Sequence, residues 1–261
     1  MYEFEFVKPA TVGEAVAALA EEDAQALGGG QTLIPTLKQR LAMPSRLVSL
    51  SGITEMQGIS DSGGVLTIGG AATHAAVAAG AASYPALAEL ASHIGDPAVR
   101  NRGTIGGSLA NNDPAACYPA AALGSGATIV TNSREIEADD YFQGLFETAL
   151  EEGEIITAVR FPVPEKANYQ KFVQPASRFA LVGVFVARFS DGVRVAVTGA
   201  SEEGVFRWRE AEAALRANFA SDALDGLSVD AEGMIADLHG SKEYRAHLVA
   251  VMTKRAVAAA G

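Results

Sequence analysis

The spacing of apolar residues along the chain predicts a mixture of helices and strands. Apolar residues three and four positions apart mark the helices. The first helix opens at Thr11-Val12-Gly13-Glu14, a capping box in which each polar side chain accepts from the other's backbone N–H. The remaining predicted helices cover residues 32–41, the alanine-rich segment that Thr73 caps, residues 84–94 and the segment from Ser241 onward.

Short apolar runs bounded by turn residues predict the strands. Two of these runs flank Asp191-Gly192, a dipeptide typical of tight turns, and are expected to pair as a hairpin. Pro162-Val163-Pro164 and Pro175 mark shifts in composition, so we expect a domain boundary near residue 176. The predicted strands cover residues 24–27, 65–68, 127–131, 134–138, 155–161, 181–189 and 193–198.

Two glycine-rich stretches share nearly the same layout. The first is Gly28-Gly29-Gly30-Gln31-Thr32-Leu33, and the second is Gly103-Thr104-Ile105-Gly106-Gly107-Ser108. Glycine permits positive φ and lets backbone N–H groups approach a ligand closely, which suits phosphate oxygens. Either stretch alone is explained as an ordinary turn. Both together, each with neighbouring hydroxyl groups, predict two sides of one diphosphate site.

The two standard nucleotide fingerprints are absent from these stretches. Leu33 stands where the Rossmann pattern Gly-x-Gly-x-x-Gly needs its third glycine. The Gly-Lys-Ser/Thr ending of a P-loop does not occur. A dinucleotide bound here is therefore expected in another fold.

Composition narrows the function classes. The 261 residues suit two domains or one large one, and the net charge of −11 disfavours binding to nucleic acid or an anionic membrane surface. Cys117 is the only cysteine, so this chain alone builds no disulfide, iron–sulfur cluster or cysteine-rich zinc site. No signal-peptide pattern opens the chain and no apolar run reaches the ~20 residues of a membrane span, so we expect a cytoplasmic protein without membrane insertion.

Residues 93–108 carry the most specific resemblance to a known family. This segment, and above all Arg100-Asn101-Arg102-Gly103-Thr104-Ile105-Gly106-Gly107, resembles the FAD-binding subunit of molybdenum hydroxylases, most closely the medium subunit of carbon monoxide dehydrogenase-type enzymes. The Leu27–Leu33 loop is similar to that family's first pyrophosphate loop, where alanine more often stands at Gly28 and serine at Thr32. Tyr169-Gln170-Lys171-Phe172, Ala176-Ser177-Arg178 and Leu181-Val182-Gly183-Val184 resemble the family's entry into its C-terminal domain, and the resemblance spans nearly the whole chain.

This resemblance implies a fold and a place in a larger enzyme. The fold would be α+β, with an FAD-binding domain of the vanillyl-alcohol-oxidase (PCMH) type in two lobes, residues 1–55 and 56–176. A C-terminal domain of residues 177–261 would add a three-stranded antiparallel sheet with helices. Family members join a small [2Fe–2S] subunit and a large molybdopterin subunit as a heterotrimer or its dimer. Substrate is hydroxylated at molybdenum, and electrons pass over the iron–sulfur clusters to FAD and then to a terminal acceptor.

The resemblance also implies which residues hold FAD. The family's pyrophosphate contacts fall on the two glycine stretches, and the turn at 112–113 matches one along the ribityl chain. The segment 73–74 matches a loop close to the cofactor, while Ile156 and Lys171 match an apolar and a basic group beside the flavin. No catalytic or metal-binding residue is expected. The implied cofactor-binding residues are Gly28, Gly29, Gly30, Gln31, Thr32, Leu33, Thr73, His74, Thr104, Ile105, Gly106, Gly107, Ser108, Asn112, Asp113, Ile156 and Lys171.

Simpler interpretations compete at several of these positions. Asp113 before Pro114 is typical of a turn, and Lys171 is equally explained as a solvated lysine at a strand end. Cys117 departs from the family, which often has an acidic residue there. The resemblance therefore leaves open how this position affects the redox properties and acceptor preference of the flavin. Two other functions therefore remain: a self-sufficient FAD oxidoreductase with its own substrate pocket, and a non-catalytic FAD-binding assembly module.

Overall fold

The computed structural model describes residues 1–260, whose strands form one small parallel sheet, two larger antiparallel sheets and a two-stranded hairpin. The parallel sheet, with strand order β1–β3–β2, belongs to the N-terminal lobe. Its strands are three and four residues long, and of these only β2 was predicted from the sequence. The elements of this lobe are β1 (Glu5–Val7), α1 (Val12–Leu19), β2 (Ala24–Leu27), α2 (Leu33–Lys38), β3 (Arg46–Ser49) and a 3-10 turn (Thr54–Met56).

Helix α2 ends earlier than the sequence predicted. The prediction ran to residue 41, whereas the helix stops at Lys38 with Gln39 as its C-cap. Arg40 has a φ of 61°, a left-handed conformation that cannot continue a right-handed helix. The chain then turns back to the sheet, where Ala15, Leu19 and Val48 form part of the lobe's core.

The middle lobe is a five-stranded antiparallel sheet of order β4–β5–β10–β6–β7. Most of its helices come between the second and third strands in the sequence and pack on the sheet. Helix α7 is buried along its whole length. The elements are β4 (Ile59–Ser62), β5 (Val65–Gly69), α3 (His74–Gly80), α4 (Pro85–Ser92), α5 (Pro97–Arg100), α6 (Ile105–Asn111), α7 (Tyr118–Ser125), β6 (Thr128–Thr131), β7 (Glu135–Glu137), α8 (Ala138–Tyr141), β8 (Phe142–Gly144), β9 (Glu147–Thr148) and β10 (Ile156–Pro162).

The C-terminal sheet has four antiparallel strands, not the three that the resemblance implied. Its first strand lies before residue 176 and pairs along most of its length with the second. The sheet therefore begins ahead of the expected boundary, which stays a prediction. The predicted hairpin forms with Ser190 and Asp191 as its turn and Phe189 paired to Gly192. The elements are β11 (Lys166–Val173), β12 (Ala180–Phe189), β13 (Gly192–Ser201), β14 (Gly204–Arg207), α9 (Arg209–Ala217), a 3-10 turn (Ser221–Leu224) and α10 (Lys242–Ala259).

Both faces of this sheet are covered, which explains the long apolar run in β12. Val184 and Val186 point into a core shared with α9 and α10. Phe185 and Ala187 point the other way, into the core of the middle lobe. The C-terminal sheet therefore packs firmly against the middle lobe. Within residues 1–260, no helix combines the length and the apolar character needed to cross a membrane.

Candidate functional site

A cleft of about 540 Å³ lies between the N-terminal and middle lobes. Its size is within the range typical of small-molecule and cofactor sites. The loop between β2 and α2 forms one wall, the loop before α6 forms the other, and the start of β10 closes the base. The predicted site residues that line the cleft are Gly28, Gly29, Gly30, Gln31, Thr32, Leu33, His74, Thr104, Gly106, Gly107, Ser108, Asp113 and Ile156.

The two glycine stretches meet backbone to backbone beside this cleft. A Cβ atom at Gly29 would lie 2.0 Å from the Arg102 carbonyl oxygen. A Cβ at Gly28 would lie 2.9 Å from Thr104 Oγ1. Gly30 has a φ of 71°, which favours glycine on conformational grounds. The first stretch therefore needs glycine in part to let the second approach.

Backbone N–H groups of the first stretch are free to bind a ligand. Within residues 1–260, no protein acceptor takes a hydrogen bond from the N–H groups of Gly28–Leu33. Thr32 is the N-cap of α2, yet its hydroxyl accepts no hydrogen bond from that helix. Unpaired N–H groups on a cleft wall, together with a free hydroxyl, are suited to phosphate oxygens.

The second stretch uses its N–H groups inside the protein. Ile105 N–H donates to the Ala72 carbonyl at 3.1 Å, and Gly106 N–H donates to the Gly70 carbonyl at 2.9 Å. Gly107 N–H donates to Thr104 Oγ1 at 3.1 Å, the capping bond of α6. This stretch is therefore anchored to the segment between β5 and α3. The groups that it leaves for the cleft are mainly the Thr104 N–H and the Ser108 hydroxyl.

His74 lies between the second glycine stretch and the core. A Cβ at Gly103 would lie 2.5 Å from His74 Nε2, so the imidazole packs directly on that backbone. Burial, with a smaller contribution from the positive charge of Arg100, lowers the pKa of His74 to about 4. Its Nδ1 has no hydrogen-bond partner within residues 1–260. The ring is therefore neutral near pH 7 and contributes a polar atom without a protein partner beside the cleft.

The base of the cleft combines apolar side chains with one carboxylate that is already paired. Ile155 and Ile156 are buried there. Glu154 accepts hydrogen bonds from Arg134 at 3.0 Å and from Thr131 Oγ1 at 2.7 Å. These bonds, Arg134 first among them, lower the pKa of Glu154 to about 2. Asp113 Oδ1 accepts from the Ala115 N–H at 2.8 Å, so this side chain stabilises its own turn.

Four predicted site residues do not line the cleft. Thr73 caps α3 by accepting from the Ala76 N–H, and Ile105 is fully buried. Asn112 has a φ of 41° and donates to the carbonyls of Gly144 and Glu147, which fixes the turn after α6. These three residues support the cleft from behind its walls.

Lys171 is the fourth, and it joins two parts of the fold. Its Nζ donates to the His93 carbonyl at 2.7 Å and to the Arg178 carbonyl at 3.0 Å, and lies 3.7 Å from Cys117 Sγ. The ammonium group thus links the loop after β11 to the middle lobe. Lys171 is partly exposed near the end of β11 and does not line the cleft.

Several lining residues were missed by sequence reasoning. Gly70 carried a usable signal, because it forms a Gly-Gly pair at a strand end, and a Cβ there would lie 2.0 Å from the Ile156 carbonyl oxygen. The others are ordinary residues that only the tertiary fold brings to the cleft. They include Ala26, Leu50, Ala71, Leu150, Glu154 and Ile155.

Comparison with known protein families identifies the domain that contains this cleft. The model described as "FAD binding domain in molybdopterin dehydrogenase" matches residues 2–164. The chain belongs to this family. It is an oxidoreductase subunit that binds FAD, as the sequence predicted, and the α+β fold with a PCMH-type FAD domain is confirmed.

Curated relatives and solved structures agree over nearly the full length. The chain is 35% identical to the carbon monoxide dehydrogenase medium chain of Afipia carboxidovorans, with 97% of this chain and 95% of the relative covered. It is 34% identical to the nicotine 6-hydroxylase medium subunit of Paenarthrobacter nicotinovorans, covering 98% and 96%. The structure of carbon monoxide dehydrogenase from Hydrogenophaga pseudoflava superposes with a TM-score of 0.90 at 34% identity, covering 99% and 97%. The chain is thus an FAD-binding medium subunit of the molybdenum hydroxylase type.

The cleft residues fit FAD. The free N–H groups of Gly28–Leu33 and the hydroxyls of Thr32 and Ser108 can hold a diphosphate. Ile155 and Ile156 supply apolar contacts suited to a ring system. The close approach of the two glycine stretches leaves no room for side chains where their backbones meet.

Proposed function

We propose that this subunit carries electrons, through FAD, from [2Fe–2S] clusters of a small partner chain to a terminal acceptor. A large molybdopterin chain would complete a heterotrimer, or a dimer of heterotrimers, and would select the substrate. The near-full-length similarity to medium chains of molybdenum enzymes supports this assembly. A cytoplasmic location stays a prediction from the sequence.

The protonation states around the cleft favour electron transfer over self-sufficient catalysis. A general acid or base needs a pKa near the working pH. His74 is neutral because its pKa is about 4, and Glu154 is held as a carboxylate by Arg134 with a pKa of about 2. Asp113 is used in its own turn. Among the described residues that line the cleft, no carboxylate or imidazole is both free and tuned for proton transfer.

The chain's own residues would then bind and orient the cofactor. The first glycine stretch would donate N–H groups to the diphosphate, and the second would fix the opposite wall. The apolar residues at the base would exclude water from the ring system. When bound, FAD supplies the exchange between single-electron and two-electron carriers.

Co-expression with the two partner chains tests this proposal. We expect one complex that contains all three chains, with about one FAD per medium chain. The flavin absorbance should bleach when the iron–sulfur chain is reduced under anaerobic conditions. If the isolated subunit turns over a small substrate, it is a self-sufficient oxidoreductase. A complex whose flavin never exchanges electrons with the clusters would make the subunit an assembly module.

A further inference from the structure

The turn after α2 exposes apolar side chains in an unusual way. Leu41 is 74% exposed and Met43 is 68% exposed, and Tyr2 lies beside them on the same lobe at 44%. We call Tyr2, Lys38, Arg40, Leu41 and Met43 the N-lobe patch. Single exposed apolar residues are common, but a cluster of them within one turn is typical of an interaction surface.

The backbone at Leu41 is fixed by hydrogen bonds although its side chain is exposed. Arg40 N–H donates to the Leu37 carbonyl and Leu41 N–H donates to the Thr36 carbonyl, both at 3.1 Å, which makes a Schellman motif. In such motifs the apolar residue at the position of Leu41 usually packs back on its helix. Here it points into solvent instead. Because the backbone at Leu41 is already fixed, no ordering of this turn is needed when a partner covers the side chain, which favours binding.

Arg40 occupies a position where glycine is the usual residue. Its φ of 61° is unfavourable for a side chain with a Cβ, so another interaction must offset the strain. The guanidinium lies over the Tyr2 ring, 5.6 Å from its centroid. This contact keeps both side chains at the surface next to Leu41.

The patch is cationic on an acidic protein. Neither Lys38 nor Arg40 pairs with a carboxylate within residues 1–260, although the chain carries a net charge of −11. Glu5, on β1 of the same lobe, is paired with Arg46. An apolar centre with free cations at its rim fits a partner surface that is apolar with an acidic rim.

The patch is also continuous with the FAD cleft. Ala42, between Leu41 and Met43, lines that cleft. A chain bound on the patch therefore lies at the edge of the cofactor site. Since electron transfer slows steeply with distance, the partner that exchanges electrons with FAD is the one that benefits from this location.

We infer that the N-lobe patch is the docking surface for the iron–sulfur partner chain, with Leu41 and Met43 as its apolar anchors. This inference rests on the proposed function. The test is co-expression of all three chains with Leu41→Asp/Met43→Asp, and with Leu238→Asp as a matched control, because Leu238 is 89% exposed in the C-terminal region. FAD content per chain reports folding of each variant.

The patch variant should lower the amount of co-purified iron–sulfur chain at least about tenfold while FAD content stays unchanged. The control should behave as the wild type. Leu41→Ser/Met43→Ser should give a smaller loss in the same direction, which keeps the test usable if the aspartates disturb folding. Undiminished co-purification of the iron–sulfur chain would overturn the inference but leave the proposed function intact.

A photo-crosslinking residue at position 41 of the assembled complex gives an independent measurement. We expect an adduct with the iron–sulfur chain, and weaker subunit association at high salt. An adduct only with the molybdopterin chain, or with a second copy of this subunit, would assign the patch to that contact instead. A wild-type complex without any iron–sulfur chain would overturn both this inference and the proposed function.

Discussion

The two glycine stretches look alike in sequence but use their backbone N–H groups differently. Gly28–Leu33 leaves its N–H groups unpaired on a cleft wall, whereas Ile105, Gly106 and Gly107 donate theirs to the protein. The first stretch thus has N–H groups available for a ligand, and the second is mainly a scaffold that holds the wall opposite. A glycine-rich pattern alone does not distinguish these roles, because both need close backbone approach.

Thr32 and Thr104 show the same contrast at single-residue resolution. Thr32 is the N-cap of α2, which follows the glycines of the first stretch, and Thr104 is the N-cap of α6, whose first turn contains Gly106 and Gly107 of the second. Thr104 Oγ1 accepts from the Gly107 N–H, while the Thr32 hydroxyl makes no such bond and is exposed. The same residue at the same position therefore serves helix stability in one stretch and is available for ligand binding in the other.

Gly29→Ala should give the largest effect, because it acts where the two stretches touch. The new Cβ would meet the Arg102 carbonyl oxygen at 2.0 Å, and backbone atoms on both sides must move. We expect the free energy of unfolding of the FAD-free protein to fall by about 3 kcal/mol, with loss of FAD binding. Urea unfolding and the flavin content of the purified protein measure both quantities.

Gly28→Ala is the matched comparison within the same stretch. Its Cβ would meet a side-chain hydroxyl, Thr104 Oγ1, at 2.9 Å, and a shift of that hydroxyl strains the capping bond to the Gly107 N–H but moves no backbone carbonyl. The loss of stability should be much smaller than for Gly29→Ala. Equal losses would mean that the contact between the stretches is less close than the structure indicates.

Acid pH should lower the free energy of unfolding because the buried His74 imidazole resists protonation in the folded protein. The folded-state pKa of His74 is about 4, below the value of 6.5 for an ordinary histidine. Between these two pH values the unfolded chain binds the proton and the folded chain does not, so stability is full above pH 6.5 and falls as the pH drops toward 4. The total loss is about 3 kcal/mol.

Urea unfolding of the FAD-free protein between pH 4 and pH 7 measures this dependence. His74→Gln should flatten the curve in that window. His93→Gln, a change at an exposed histidine, should leave it unchanged. A wild-type curve that is already flat would show that the imidazole is protonated without penalty in the folded state.

Local sequence information located the first glycine stretch more directly than the residues around it. Residues 28–33 all line the cleft, because consecutive glycines next to a strand constrain the backbone locally, and their contact with FAD stays a prediction. The expected place of Lys171 near the flavin also stays a prediction; its ammonium donates to the carbonyls of His93 and Arg178, distant segments whose approach no local pattern reveals. The same holds for Glu154, whose place at the base depends on β10 pairing between β5 and β6.

The fold shows the same division between local and tertiary information. Strand β12 and helix α10 were predicted from strong local patterns. The short strands β1 and β3 were not, although β2 beside them was. In the C-terminal sheet, the outer strands β11 and β14 had no strand prediction; in β11, polar residues such as Asn168 and Gln170 interrupt the apolar pattern.

Thr104→Ala should act mainly on stability. Removing an N-cap hydroxyl costs about 1 kcal/mol, and here it also leaves the Gly107 N–H without its acceptor. We expect a lower urea midpoint for the FAD-free protein, with weaker FAD binding as a consequence of a less ordered wall. Thr104→Ser keeps the hydroxyl and should restore most of the stability. A variant with weaker FAD binding but unchanged unfolding would place the hydroxyl on the ligand instead.

Thr32→Ala, unlike Thr104→Ala, should weaken FAD binding more than stability, and its change in stability should be the smallest of the series. Because its hydroxyl caps nothing, the unfolding free energy of the FAD-free protein should stay the same. If the hydroxyl binds the diphosphate, the dissociation constant for FAD should rise about tenfold, the loss expected for one hydrogen bond to a charged group. Thr32→Ser keeps the hydroxyl and should bind FAD as the wild type does. Fluorescence titration of the FAD-free protein measures each dissociation constant. Equal constants for the alanine and serine variants would show that diphosphate recognition in this stretch comes from backbone N–H groups alone.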